Sequence, residues 1–168
     1  DGKLLYEGNF VTGDPEGTGK RYDEDGSLVE DGEFKSSECK EGYITIREEK
    51  GSLVYQGGIV DCIYEGKGTV YNAKGQKIYQ GELKKGLYDG KGTLYKTDGS
   101  IVYDGDFKDG QYEGYGQIYD KDGKLRYKGD FAKGVYERSG TLYYPDGKVR
   151  YKGDFAKGKY EGKGVLYT

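Results

Sequence analysis

Histidine, methionine and tryptophan are all absent from the 168 residues, and there are only 2 Pro and 2 Cys. Without His there is no His-based catalytic triad, no imidazole metal ligand and no ordinary general base near neutral pH. With so little Pro, the 32 Gly cannot belong to a collagen-like helix, which needs Gly at every third position and abundant Pro. The Gly alternate with Tyr, Leu, Ile and Phe, which excludes a flexible Gly/Ser linker. No run approaches the roughly 18 apolar residues of a spanning helix, and no signal-peptide core is visible. The missing Met predicts an excised domain or a processed product. Cys39 and Cys62 stand 23 residues apart. Matched positions on neighbouring hairpins lie about 9–10 Å apart, beyond the about 7 Å reach of a disulfide. Free thiols are the simpler reading; a one-residue offset from the repeat leaves a disulfide open.

Net charge is −3, so the chain as a whole offers no strong pull toward nucleic acid or anionic lipid. The average hides an asymmetry. Residues 121–168 carry 12 Lys and Arg against 6 Asp and Glu, whereas residues 1–120 carry 15 against 24.

What the sequence has is a period. Tyr-x-Gly recurs at Tyr6, Tyr55, Tyr79, Tyr103, Tyr127 and Tyr151, with Glu30 in the Tyr place of a weaker copy. The steps are 24 residues, once 25, and such self-similarity marks a repeat architecture. Positions are numbered here from that Tyr. Position 3 is Gly, and position 5 is apolar (Phe10, Phe34, Ile59, Leu83, Phe107, Phe131, Phe155). Gly is usual at 8, 12 and 14, Tyr at 10 and 17, an aliphatic at 16, and Asp-Gly or a variant at 20–21. Residues 1–5 match the end of a preceding copy.

Apolar residues at 23, 1 and 5 alternate with charged residues at 22, 2 and 4, which is the period of a strand with one apolar face. A second short strand is expected over positions 13–17. Asp25-Gly26, Asp98-Gly99, Asp122-Gly123 and Asp146-Gly147 are hairpin-turn signals, and Gly at 8 marks the opposite turn. The fold class is therefore all-β: an elongated single-sheet antiparallel meander or solenoid of about seven 24-residue β-hairpin repeats, one array over 1–168. Gly at 12 and 14 would weaken a strand unless a ring uses the space, so Tyr or Phe is expected to lie over both bare positions. Each Tyr is expected to keep its hydroxyl at the wet rim.

These residues resemble the MORN repeat family. Its pattern of Tyr-x-Gly, an apolar or aromatic fifth position, Gly at 8 and Gly-x-Gly reads here as Tyr79-Gly81-Leu83-Gly86-Gly90-Gly92 and Tyr151-Gly153-Phe155-Gly158-Gly162-Gly164. Tyr103-Gly105-Phe107-Gly110-Gly114-Gly116 repeats it, and the likeness covers essentially the whole chain. The extra Tyr at 10 and the Asp-Gly hairpins look like the bacterial variety. The resemblance implies a binding module, in a scaffold, beside a membrane or accessory to an enzyme. Departures are Glu30, Ser37, an inserted residue and Ile44 in copy 2, Cys62 in copy 3 and Arg138 in place of a position-12 Gly; each questions the ring-over-Gly packing locally.

No catalytic group stands out, because carboxylates are tiled at turn and strand positions rather than unique. Gly-x-Gly has no helix to receive a phosphate. Asp23-Glu24-Asp25-Gly26 lacks the spacing of a calcium loop and reads as a turn. No cofactor, metal, nucleic acid or small-molecule substrate is implied. Two surfaces are candidates for a partner. One is the Tyr row at position 10: Tyr88, Tyr112, Tyr136 and Tyr160. The other is a basic patch gathering Arg126, Lys128, Arg150 and Lys152 on the face opposite the apolar one, where earlier copies carry Val29, Val54, Ile78 and Val102 at position 24. A protein partner or self-association is the first reading, and anionic lipid, or less readily glycan, the alternative. Wall- and choline-binding repeats share the Tyr-Tyr and Asp-Gly hairpins, but the missing Trp and the 24-residue period argue against them. The compartment stays open, with a cytoplasmic or membrane-peripheral setting the better fit.

Overall fold

The computed structural model describes residues 2–35, 41–47, 52–61 and 63–168. Cys39, Cys62, Ser37 and the insertion of copy 2 lie outside them. Fourteen antiparallel strands follow the chain order: β1 (Tyr6–Val11), β2 (Asp14–Tyr22), β3 (Leu28–Lys35), β4 (Glu41–Arg47), β5 (Leu53–Val60), β6 (Ile63–Tyr71), β7 (Lys77–Lys84), β8 (Leu87–Tyr95), β9 (Ile101–Lys108), β10 (Gln111–Tyr119), β11 (Leu125–Ala132), β12 (Val135–Tyr143), β13 (Val149–Ala156) and β14 (Lys159–Leu166). There is no helix among the described residues, hence none long and apolar enough to cross a membrane. The all-β hairpin meander expected from the period is what forms. The chain divides into two compact units, Asp1–Leu87 and Tyr88–Thr168.

The first strand of each copy falls where the alternation puts it, as β9 and β11 show. The second strand is longer than expected, because it starts at position 9 rather than 13 (Gln111 in β10, Val135 in β12). The turn chemistry differs too. The tight two-residue turn lies at positions 7–8, where both residues are left-handed: Lys85-Gly86, Asp109-Gly110, Lys133-Gly134 and Lys157-Gly158. That paired conformation matches the twist of the flanking strands. At 18–22 the chain makes a longer loop in which only the Gly is left-handed, for example Gly123 at φ 74°. Its N–H bonds the Asp120 carbonyl at 3.1 Å. The Asp120 carboxylate meanwhile accepts the N–H groups of Asp122 and Lys124 at 2.9 and 3.0 Å. Asp23 closes its loop in the same way over Asp25 and Ser27, so that acidic run is a turn.

The core is built of rings on glycine. In the second unit the position-3 and position-14 Gly face one another in a continuous row across the strands: Gly92, Gly105, Gly116, Gly129, Gly140, Gly153 and Gly164. The position-1 ring lies flat on that row. A Cβ at Gly116 would sit 2.3 Å from the Tyr103 hydroxyl, and one at Gly140 2.3 Å from that of Tyr127. Tyr55, Tyr79, Tyr103 and Tyr127 are fully buried, and their hydroxyls are not at the rim. Each bonds the carbonyl of position 4 on its own strand at 2.7–2.9 Å. Such a partner is what burial of a phenol demands.

Position 12 is a separate device. Nothing lies over Gly66, and the nearest side chains to Gly114 and Gly162 are Asp106 and Asp154 rather than rings; Gly66, Gly90, Gly114 and Gly162 are left-handed there. They sit at a bulge in the second strand, whose ladder skips between Tyr112 and Gly116. Arg138 adopts the same left-handed φ of 54° without a Gly's freedom, so it strains the backbone and leaves the ring packing of its copy intact.

Copy 2 shows how a departure is compensated. Ile44, in the place of a position-14 Gly, is 1% exposed and pairs with Gly32. Its side chain uses the space that a position-1 ring takes elsewhere. The residue at position 1 is accordingly the smaller Glu30, held by Arg21 at 2.9 Å, whose guanidinium also lies over the Phe34 ring.

Candidate partner-binding face

Each unit has a packed face and an open face. On the packed face the position-10 Tyr stack against the position-1 rings: Tyr112 on Tyr103 at 3.8 Å, Tyr136 on Tyr127 at 3.8 Å, Tyr160 on Tyr151 at 4.0 Å. Phe131 and Phe155 meet these pairs edge-on. Tyr88 lies edge-on to Phe107 at 5.7 Å. Stacked and T-shaped ring pairs of this kind add about 0.5–1.5 kcal/mol each beyond their buried area. Tyr88, Tyr112 and Tyr136 are thus half-buried core, and burial pushes their hydroxyl pKa values up. Tyr160 is 41% exposed.

Carboxylates are held by backbone. At position 4, Asp106, Asp130 and Asp154 accept the N–H of Tyr115, Ser139 and Lys163 and so brace the bulge. At position 11, Glu65, Glu113 and Glu137 accept the N–H of the left-handed Lys85, Lys133 and Lys157 in the turn of the following copy. Beside each of those bonds a position-8 Gly N–H reaches the carbonyl of the preceding position-10 Tyr, as Gly134 does to Tyr112 at 2.9 Å. The tiled acids are structural parts of the hairpins.

On the open face the four cations do not gather in one patch. The ladder of β10 with β11 skips Arg126, and that of β12 with β13 skips Arg150, so position 24 is the extra residue of a bulge. Arg126 turns to the Asp120 carboxylate at 3.8 Å, and Arg150 to the Tyr144 ring at 5.9 Å, both at the loop end. Lys128 and Lys152 stay exposed at mid-strand. They border a trough of about 420 Å³ walled by Tyr115 and Tyr143 and floored by Gly129, Gly140 and Gly153. Thr141 lies between the two lysines, paired with both.

Tyr143, Tyr115 and Thr141 escaped the reading of the sequence. A signal was there: position 17 is Tyr in Tyr22, Tyr71, Tyr95, Tyr119, Tyr143 and Tyr167, and it shares strand parity with 13 and 15. Tyr119 shows what such a Tyr meets on this face. Burial raises its pKa most, Asp104 raises it further, and Lys128 opposes. Tyr22 in the first unit bonds the Glu7 carboxylate at 3.1 Å.

The family comparison agrees with the geometry. The MORN repeat model matches residues 79–101, 103–124, 127–149 and 151–168, and a MORN repeat variant matches 15–36. No curated protein matches the chain.

Proposed function

The chain belongs to the MORN repeat family, whose repeats are generally associated with protein- or membrane-binding scaffolds, and on that ground we propose that it is a non-enzymatic binding module that holds a segment of a protein partner against its open face. The observation that carries the reading is the trough at Tyr115, Lys128, Thr141, Tyr143 and Lys152. It joins aromatic walls, free lysine heads and a floor of bare backbone, a composition suited to recognition, where aromatics are enriched in hot spots. The carboxylates that could serve as acid and base elsewhere are engaged by backbone N–H groups at turns and bulges. A lipid-headgroup role is the weaker alternative. The candidate cations are divided between the loop end (Arg126, Arg150) and the trough (Lys128, Lys152), which does not favour a single cationic plane for a bilayer.

Selection of displayed random peptides on the immobilised chain tests this. Thr141→Trp, which fills the trough with a side chain the strand accommodates, serves as the counter-target. Peptides that bind the wild type and lose the variant are expected. Enrichment of none, or of peptides indifferent to Thr141→Trp, removes the reading.

A further inference from the structure

We propose, resting on that reading, that the trough accepts an acidic peptide segment in the polyproline II conformation, with carboxylates three residues apart. Lys128 and Lys152 hold the same position on successive copies, two strands apart. At the usual strand spacing that is about 10 Å. Polyproline II has three residues per turn and rises about 3.1 Å per residue, so residues i and i+3 project to the same side about 9 Å apart. A fully extended strand puts same-side residues about 7 Å or about 13 Å apart, which fits neither lysine spacing.

The lysines are available. Neither Lys128 nor Lys152 makes an ion pair among the described residues. Their cross-strand neighbours are Gln117, Thr141 and Val165, all uncharged. The nearest carboxylates on their own strands are Asp130 and Asp154, of which Asp154 lines the trough. They are turned onto the N–H groups of Ser139 and Lys163. Tyr143 and Tyr115 wall the trough in which the segment lies, and aromatic walls are the common receptor for this preformed, low-entropy helix. Position 2 reads Glu7, Asp31, Gln56 and Gln80 in the first unit and Asp104 at the start of the second. The cationic pair is therefore local to copies 6 and 7, and the partner's acidic turn is placed there.

The test uses the whole chain and a fluorescein-labelled peptide of repeated Glu-Pro-Pro, read by anisotropy. A peptide of the same composition with Glu at i and i+2 is the register control. Binding of the first is expected, with the second weaker by about fivefold or more, since only one charge pair then forms. Lys128→Glu with Lys152→Glu is expected to weaken binding at least about tenfold, and Lys133→Glu with Lys157→Glu, the same charge change at the tight turns, less than about twofold. Equal loss in both double variants, or indifference to Glu spacing, overturns the proposal. So does binding only to phosphatidylserine vesicles, or light scattering showing that a second copy occupies the face. If the displayed peptides that depend on Thr141 are neutral or basic, this inference fails while the binding-module reading stands.

Discussion

The second unit and copy 2 of the first solve one packing problem with different residues. In the second, copies 5, 6 and 7 each lay a Tyr across a Gly pair: Tyr103 on Gly105 and Gly116, Tyr127 on Gly129 and Gly140, Tyr151 on Gly153 and Gly164. In the first, copy 2 inverts the arrangement. Ile44 supplies bulk from the second strand, and Glu30 with Arg21 fills the position-1 place. The bulk at that junction is carried by the second strand instead of the first. Polar cost rises in the inverted form, because a charge pair stands where a phenol bonded to a carbonyl would otherwise lie. Part-exposed pairs of this sort contribute little. The regular copies should therefore be the more sensitive to losing their position-1 side chain.

The largest effect expected is for Tyr127→Ala, which removes a fully buried ring stacked on Tyr136 and edged by Phe131 and Phe155. A loss of about 3–5 kcal/mol is expected in urea unfolding, against under about 1 kcal/mol for Glu30→Ala. Similar losses for the two would break the comparison. Next is Gly140→Ala, whose Cβ would lie 2.3 Å from the Tyr127 hydroxyl. Overpacking should cost about 1–3 kcal/mol, and Tyr127→Ala made together with it should relieve that part. The inverted junction offers a sharper case. Glu30→Tyr alone should destabilise, Ile44→Gly alone should leave a void, and the double variant should recover, with a coupling of about 1 kcal/mol or more in the cycle. Additive effects would show that Ile44 and Glu30 do not share one volume. Arg138→Gly should raise stability by about 1 kcal/mol, because left-handed φ costs a side chain about that much. Unfolding midpoints measure it.

The smallest effect is read in alkali. Burial, then Tyr64 and Tyr43, push the Tyr55 hydroxyl up to about 12 from 10.0. The unfolded chain loses that proton first, so this contribution is whole below pH 10 and fades as pH rises toward about 12. Tyr55→Phe should flatten the fall in urea midpoint across that window.

Hairpin number, strand alternation and the ring over position 14 were legible in the sequence, because each rests on period two and on a recurring place for Tyr and Gly. Position 12 was not, since a Gly kept for its φ looks the same in sequence as a Gly kept for its missing side chain. Arg138 is the residue that separates the two, by taking up the φ while Tyr127 stays stacked on Tyr136 in the same copy. Turns were legible both at Asp-Gly and at position 8, but not which of the two is tight, because the left-handed first residue at position 7 is Lys at 85, 133 and 157, which carries no turn signal. At the candidate face one bulge was decisive. Tyr112 and Tyr119 stand seven residues apart and so fall on opposite faces by plain alternation, which the two extra residues between Tyr112 and Gly116 leave unchanged; the bulge at position 24, which sends Arg126 and Arg150 away from Lys128 and Lys152, has no such signal.

The bonds from Glu113 to the Lys133 N–H and from the Gly134 N–H to the Tyr112 carbonyl recur one copy later at Glu137, Lys157, Gly158 and Tyr136. Every junction of this kind is interchangeable with the next. Excising one whole period would rejoin identical donors and acceptors, while removing a fraction of a period would strand them. Array length is thereby adjustable in steps of a single hairpin pair, which lets such a chain be lengthened or shortened to fit what it grips without redesigning any seam.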